Sequence, residues 1–284
     1  MNTLLPSQTH LGTVALTVAD LERSLAYYQT RIGLQLLAQN GQTAKLGAGD
    51  KPLLLLQEQP GARPTRGTTG LYHFAILLPS RLALAKTLYH LISTKTPIGG
   101  FSDHAVSEAI YLTDPDGHGI ELYRDRPREE WQWENGRLQI VTKPLDLDSL
   151  LGELNNQPYT NHQMPTGTTI GHIHLHVAHL QEATQFYTST LGFDFIANYG
   201  NSAAFVSAGG YHHHIGLNTW AGVGAPPPPP DTAHLLWYEI KLPDSTSLQN
   251  LVEHIRQQGH AVEDQNGRFY LQDPSQNGII LTTD

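Results

Sequence analysis

The chain of 284 residues contains no cysteine, which excludes disulfide bridges, thiolate nucleophiles and zinc–sulfur sites. Charged residues make up only 15% of it, and its net charge of −9 argues against a nucleic-acid partner, which needs clustered Lys and Arg. No apolar run approaches the ~20 residues that cross a bilayer. Residues 1–6 also lack the basic region and long apolar stretch of a signal peptide. We therefore expect a cytoplasmic protein without membrane or nucleic-acid partners.

Histidine, by contrast, is abundant, with 16 residues against 17 lysines and arginines together. Histidine is the commonest metal ligand and the usual acid or base near neutral pH. The length suits one large or two ordinary domains and is ample for a buried core. The composition thus directs attention to a metal site or to acid–base chemistry.

The sequence repeats itself. At an offset of 159, LGTVALTVADLERSLAYYQTRIGL (residues 11–34) aligns with IGHIHLHVAHLQEATQFYTSTLGF (170–193), and YLTDP (111–115) aligns with YLQDP (270–274). At an offset of 164, AILLP (75–79) aligns with EIKLP (239–243). Because three matches occur in the same order, they indicate an internal duplication.

Each half contains two segments, which gives four modules at 10–58, 70–125, 170–220 and 233–283. The halves span 1–125 and 169–284, and residues 126–168 form a connector. In the first module an alternating run at 13–18 predicts a strand, Asp20 a helix N-cap and Gly33 the helix end. Leu21, Leu25 and Tyr28 are expected on one helical face. Short apolar runs then predict three strands, so each module is a βαβββ unit that needs a partner to bury its sheet.

This organisation resembles the vicinal-oxygen-chelate superfamily, which includes glyoxalases, antibiotic-resistance proteins and extradiol ring-cleaving dioxygenases. The resemblance covers nearly the whole chain apart from the connector. It implies an α+β fold in which four βαβββ modules pair into two cup-shaped, barrel-like mixed sheets. Four modules in one chain is the arrangement typical of the dioxygenases.

Three histidines alternate along the first strand of module three, so His172, His174 and His176 are expected on one face. The duplicate strand has Thr, Ala and Thr at these positions. Because one strand seldom donates three ligands to one ion, we expect His174 and His176 to be core histidines satisfied by hydrogen bonds. The resemblance implies a metal ligand at His172.

Module two supplies two further candidate ligands, His73 and Glu121, whose duplicates are Trp237 and Ile280. Module four therefore has neither ligand, and module one lacks its histidine. Only modules two and three together can assemble a set of His73, Glu121 and His172. We accordingly predict that module two pairs with three around a metal and that module one pairs with four in a cup without one.

Two histidines and one carboxylate form the facial triad of non-heme iron(II) oxygenases, although Mn²⁺ accepts the same N and O ligands. Three protein ligands leave three coordination positions, two for adjacent phenolic oxygens and one for dioxygen. The sequence HAVSEAIYLTDPDGHGIE (residues 104–121) resembles the extradiol dioxygenase signature and departs from it at Ser102, two residues before the histidine.

The resemblance implies that His104 and Tyr111 hydrogen-bond the substrate or oxygen-derived groups; the alternatives are a surface histidine and an interior strand tyrosine. It also implies an acid–base histidine near the end of module three. The alignment favours His213 over His212 and His214, which share a face if this segment is a strand. A histidine-rich edge that binds metal adventitiously is the alternative for those two.

The preferred hypothesis is an iron(II)-dependent extradiol dioxygenase that cleaves catechol or a small substituted catechol with O2 to a ring-opened semialdehyde. The alternatives are a glyoxalase-like metal-dependent isomerase or thiol transferase, whose sites usually need four protein ligands, and a non-catalytic resistance protein that binds an aromatic drug. Ring substituents, the choice between iron and manganese, and assembly into a homo-oligomer stay open. The aromatic candidates for the pocket are equally explained by core packing: Phe101, Tyr199, Phe205 and Trp220.

Overall fold

The computed structural model describes residues 5–134, 137–155 and 163–284. The first half begins with strand β1 (His10–Val18), helix α1 (Leu21–Tyr27) and strands β2 (Gln35–Asn40), β3 (Thr43–Ala48), β4 (Lys51–Glu58) and the short β5 (Arg63–Pro64). Its second module consists of β6 (Gly70–Leu77), α2 (Arg81–Ser93), β7 (Gly100–Asp103), β8 (Ser107–Thr113) and β9 (Gly119–Asp125).

The connector carries the hairpin strands β10 (Trp133–Glu134) and β11 (Arg137–Leu138) and helix α3 (Leu147–Gly152). The third module consists of β12 (Thr169–His176), α4 (Leu180–Gln185), β13 (Asp194–Tyr199), β14 (Ala203–Ser207) and β15 (Ile215–Asn218). After the short β16 (Thr232–Ala233), the fourth consists of β17 (Leu235–Leu242), α5 (Ser245–Gln257), β18 (Glu263–Asp264), β19 (Phe269–Gln272) and β20 (Gly278–Thr283). The described residues do not include 1–4 or, within the predicted connector, 135–136 and 156–162.

The modules pair across the two halves into two eight-stranded sheets. One has the order β18-β19-β20-β17-β1-β4-β3-β2 and joins modules four and one; the other has the order β13-β14-β15-β12-β6-β9-β8-β7 and joins modules three and two. The strands that join the modules, β1 with β17 and β6 with β12, pair antiparallel. Within each module the first and last long strands pair parallel. The predicted α+β fold with two mixed sheets is confirmed, and so is the pairing of module two with module three.

Helix α1 illustrates how the local sequence determines its element. The Asp20 side chain accepts a hydrogen bond from the backbone N–H of Arg23, while Leu21 and Leu25 are buried. The helix continues through a π-helical turn, and Gly33 ends it with a φ of 90°, in the left-handed region that favours glycine. The predicted cap, buried face and stop are all confirmed.

The Asp-Pro turns fasten the two sheets to each other. The Asp114 carboxylate accepts backbone hydrogen bonds from residues 116 and 118 and also a 2.8 Å hydrogen bond from the Tyr28 hydroxyl. In the other half, Asp273 accepts corresponding bonds from residues 275 and 277 and one of 3.0 Å from Tyr187. Because each tyrosine lies in a π-helical turn of a module that belongs to the other sheet, the duplicated turns connect the two module pairs at two places.

The connector is anchored to module two beside a buried carboxylate. Glu108, 2% exposed, lies 2.9 Å from Nε of Arg81 and 2.6 Å from Nη2 of Arg124. Arg81 also contacts Glu153 of the connector, and α3 packs against α2. Burial alone would raise the pKa of Glu108, but its hydrogen bonds with Arg81 and Arg124 hold that pKa below the ordinary value.

Among the described residues, no helix is long and apolar enough to cross a membrane.

Glu108→Gln is expected to lower the free energy of unfolding by about 3–5 kcal/mol at pH 7, because Arg81, Arg124 and Arg126 all lose the buried carboxylate that they contact. Since the folded pKa of Glu108 is lowered, its stabilisation is present above the unfolded pKa of about 4.3 and disappears as the pH falls through the folded pKa. Urea denaturation of both metal-free proteins at pH 7 and pH 3.5 measures this, with the exposed Glu253→Gln as control. A difference that does not shrink in acid would contradict the ion-pair explanation.

Candidate metal centre and its cavity

Three buried side chains on adjacent strands converge on one point. His73 on β6, Glu121 on β9 and His172 on β12 each bring one ligand atom to within 4.8 Å of the others. Nε2 of His73 lies 3.0 Å, and Nε2 of His172 lies 3.1 Å, from Oε2 of Glu121. The three residues are 6%, 2% and 2% exposed. The structure thus brings together the three ligands expected from the sequence.

The strand register explains this convergence. Ala75 of β6 pairs with Glu121 on one side and with His172 on the other, and His73 precedes it by two residues on the same face. The single methyl group of Ala75 leaves room for the larger side chains to meet. A Cβ atom at Gly119 would lie 2.1 Å from the carbonyl oxygen of Tyr72, so glycine at that position allows β9 to begin close to β6.

The site pairs a carboxylate with a neutral imidazole. Burial lowers the pKa of His172 to about 4, although the neighbouring Glu121 opposes that shift. Burial would raise the pKa of Glu121, but the adjacent imidazoles of His172 and His73 hold that pKa well below its ordinary value. Metal ligation requires neutral histidine and ionised carboxylate, so these protonation states suit a metal at neutral pH.

The donor set also fits a divalent cation. Among the described residues, the buried Nε2 of His73 has no hydrogen-bond partner, although it lies 3.0 Å from Oε2 of Glu121. An unsatisfied buried polar atom costs ~1–3 kcal/mol. Two imidazole nitrogens and one carboxylate oxygen form the facial ligand set of non-heme Fe(II) sites, and a bound ion would satisfy His73. The triad can therefore hold such a metal.

His104 and Tyr111 lie on the wall of the same cavity. Nε2 of His104 is 2.8 Å from the Tyr111 hydroxyl, and Nδ1 of His104 is 2.6 Å from the carbonyl oxygen of Val141. Since a carbonyl oxygen only accepts, Nδ1 carries a hydrogen, and with that single hydrogen on the ring Nε2 accepts from the Tyr111 hydroxyl. Burial raises the pKa of Tyr111 well above its ordinary value, so its hydroxyl stays protonated. Connector residues 138–140 and 142 also line the cavity.

The three consecutive histidines of module three have different surroundings. His213 lines the cavity, with its ring centroid 4.2 Å from that of His172. Nε2 of His212 lies 2.9 Å from Oδ1 of Asp125, and Nδ1 of His214 accepts a hydrogen bond from the backbone of Ala208. Of these three described histidines, His213 is the one that borders the cavity and the metal site.

Residues 212–214 do not form a strand, so the condition under which His212 and His214 would share a face is not met. This segment is irregular, and β15 begins only at Ile215. Gly209 and Gly210 have φ values of 62° and 67° and turn the chain just before it. These left-handed conformations break the alternation of side chains on which the expectation depended.

The expected hydrogen bond is present at His176, which is only partly buried, and absent at His174, which is buried as expected. Nδ1 of His176 lies 2.7 Å from Oδ1 of Asn218. In contrast, the buried Nε2 of His174 has no hydrogen-bond partner in the described ranges, and the ring lines the cavity. A Cβ atom at Gly216 would lie 2.8 Å from that ring, so His174 packs over a glycine that offers it no polar group.

The cavity beside the triad has a volume of about 540 Å³ and an aromatic mouth. Phe195, Tyr199 and Trp220 line it and are 49%, 56% and 45% exposed. Phe205 lines the cavity more deeply, whereas Phe101 packs against the core instead. Among the described side chains that line this cavity there is no lysine or arginine, and Glu121 is the one acidic residue.

Sequence reasoning missed Tyr72, whose ring lies 5.0 Å from that of His73. Neighbours in a regular strand face opposite ways. Between β6 and β12, however, His73 pairs with His174 and Leu71 with Leu175, so Tyr72 is the extra residue of a β-bulge. The bulge allows both Tyr72 and His73 to line the cavity, and no signal in the sequence reveals it.

Comparisons with known proteins agree with this geometry. A family model described as the Glyoxalase/Bleomycin resistance protein/Dioxygenase superfamily matches residues 10–122 and 169–279. The chain is also 47% identical over 283 residues to the catechol-2,3-dioxygenase of Bacillus subtilis (strain 168), an alignment that covers 98% of each protein.

Solved structures share the fold at lower identity. A Bacillus subtilis protein provisionally described as a dioxygenase is 16% identical, with a TM-score of 0.65 over 97% of this chain and 85% of that one. Glyoxalase I from Zea mays is 16% identical, with a TM-score of 0.58 over 97% of this chain and 92% of that one. At these identities, both comparisons bear on the fold.

Proposed function

The chain belongs to the glyoxalase/bleomycin resistance protein/dioxygenase superfamily, and we propose that it is an iron(II)-dependent extradiol dioxygenase. Its substrates are catechol or a small substituted catechol and O2, and its product is a ring-opened semialdehyde. The observation that carries this proposal is the convergence of His73, Glu121 and His172 at a cavity that His104, Tyr111 and His213 also line. The name of the Bacillus subtilis relative supports it, and a role in aromatic catabolism follows.

In this proposal His73, Glu121 and His172 hold the metal. When bound, ferrous iron supplies the Lewis acidity and one-electron chemistry that allow a catechol and O2 to react. Iron is proposed rather than manganese because this ligand set is the facial triad of the iron oxygenases.

The remaining side chains bind the ring and move protons. The aromatic walls provide an apolar slot for a flat substrate. His213 accepts a proton from a substrate hydroxyl and returns it later, because its neutral ring borders the metal site. On another part of the wall, the Tyr111 hydroxyl, which stays protonated, and the His104 ring form hydrogen bonds with the substrate's oxygen atoms.

Oxygen uptake tests the function directly. Protein reconstituted with Fe(II) under anaerobic conditions is mixed with catechol and air-saturated buffer, and uptake of one O2 per catechol with a yellow product is expected. Turnover of a thiol adduct of methylglyoxal with Ni²⁺, Zn²⁺ or Mn²⁺ would favour an isomerase instead. Tight binding of an aromatic drug by the metal-free protein, without turnover, would favour a binding protein. If iron-loaded protein consumes no oxygen with any simple catechol or hydroquinone, the proposal is wrong.

The cavity favours uncharged ring substituents. A buried carboxylate without a cationic partner costs several kcal/mol, and the described lining offers Glu121 but no lysine or arginine. We expect kcat/KM for 4-methylcatechol to exceed that for 3,4-dihydroxybenzoate by about 10²-fold or more. Steady-state oxygen uptake with both substrates measures the ratio, and a preference for the carboxylated ring would contradict this substrate class.

A further inference from the structure

Three polar side chains connect the cavity to the protein surface. Nδ1 of His213 lies 2.8 Å from Nδ1 of His212, and Nε2 of His212 lies 2.9 Å from Oδ1 of Asp125. His212 is fully buried, whereas the Asp125 side chain is 25% exposed. Asp125 and His212 do not line the cavity, so any effect that they have on its chemistry passes through His213.

The hydrogen-bonding capacity of each group fixes the position of each hydrogen. A carboxylate only accepts, so Nε2 of His212 carries a hydrogen and donates it to Asp125. With one hydrogen on each ring, Nδ1 of His212 then carries a lone pair, and Nδ1 of His213 donates to it. The second nitrogen of the His213 ring, Nε2, is consequently left without a hydrogen.

We propose that Asp125 and His212 are positioning residues that hold His213 in the tautomer whose Nε2 presents a lone pair to the cavity. The role of this tautomer in turnover rests on the proposed function. A substrate O–H bond breaks as an N–H bond forms at Nε2, which gives a phenolate and an imidazolium. The opposite tautomer would present an N–H to the hydroxyl and could not accept its proton.

The surroundings of His212 hold its ring in place. The ring centroids of Tyr211 and Trp131 lie 4.0 Å and 5.5 Å from that of His212. The Tyr211 hydroxyl is within 3.2 Å of the same Asp125 oxygen that His212 contacts, so the carboxylate is held from two directions. Such packing restricts ring rotation, which is the condition for a fixed donor and acceptor order.

Nuclear magnetic resonance of the ring nitrogens tests the tautomer without turnover. The full chain is labelled with 15N at histidine and loaded with diamagnetic Zn²⁺. Two-bond 1H–15N correlation spectra of the imidazole rings then distinguish the two tautomers. We expect His213 to carry its hydrogen on Nδ1 and His212 to carry it on Nε2. In His212→Leu, His213 should shift towards the Nε2–H tautomer. In His212→Asn, a side-chain oxygen can accept from His213, so the wild-type tautomer should persist.

Kinetics of the iron-loaded variants provide the second readout. His212→Leu and Asp125→Asn should lower kcat and kcat/KM equally, by about 10²-fold for His212→Leu, with unchanged iron content. His212→Asn should recover most of this loss, and His254→Leu, on α5 against the other sheet, serves as the control. If His212 were only structural, its variants would change the iron content or the free energy of unfolding. Their kcat would then not follow the tautomer of His213.

The outcomes separate this inference from the proposed function. If the wild type shows the expected tautomers but the iron-loaded protein cleaves no catechol, the proposed function fails and the positioning role stands. If it cleaves catechol while His213 carries its hydrogen on Nε2, the inference is overturned. Wild-type turnover by His212→Leu with an unchanged His213 tautomer would overturn it as well.

Discussion

Replacement of His73, Glu121 or His172 by alanine is expected to reduce bound metal to background and to abolish ring cleavage. Each residue provides one of three ligand atoms within 4.8 Å of one another, and no fourth ligand joins this group among the described residues. Loss of a mere hydrogen-bond partner of a ligand typically costs 10–100-fold in affinity, so loss of a ligand should weaken binding by more than ~100-fold. Elemental analysis after reconstitution with Fe(II) and dialysis measures the effect.

The duplication provides a matched control for this experiment. Trp237 occupies the position of His73 in the other sheet, where the Arg268 guanidinium lies 5.1 Å from its ring centroid. Trp237→Ala should therefore retain stoichiometric iron, and Glu121→Gln should bind iron more weakly at almost unchanged volume. If His172→Ala retained full iron while His174→Ala lost it, the ligand assigned to β12 would be wrong by two residues.

The complementary loss of ligands between duplicates is what made the pairing of modules predictable. Glu121 and Ile280 occupy equivalent places in the two sheets: Ala75 pairs with Glu121, and Glu239 pairs with Ile280. Where Ala75 leaves space for a metal, the Glu239 side chain instead contacts Arg268 at 2.7 Å. The sheet of modules two and three thus has an open site, whereas the sheet of modules one and four has an ion pair at the same place. This difference agrees with the alignment of the duplicated segments.

The parts of the site that sequence could not predict depend on backbone irregularities and on distant contacts. The bulge at Tyr72 and the left-handed turn at Gly209 and Gly210 both redirect side chains away from simple alternation. Hydropathy patterns contain no information on such one-residue shifts. The contact between Asp125 and His212 joins two modules, so it becomes visible only once the sheet is assembled.

His213→Ala is expected to retain stoichiometric iron while kcat falls by about 10²–10⁴-fold, the usual contribution of a positioned acid or base. The difference from the ligand variants follows from the geometry. The His213 ring lies beside that of His172, tilted by 47°, and does not belong to the converging triad, so its removal leaves all three protein ligands in place. Iron analysis, KM and kcat from oxygen uptake separate loss of metal from loss of proton transfer.

Two comparisons sharpen this prediction. His214→Ala removes a neighbouring buried histidine that bonds to Ser207 and the Ala208 backbone and does not line the cavity, so folded protein should keep nearly full kcat. Added imidazole should partly restore turnover by His213→Ala, since the truncated side chain leaves a gap beside the substrate that a free base can enter. Loss of iron from His213→Ala would instead assign this histidine to the metal, because a proton acceptor that does not ligate can be removed without changing metal content.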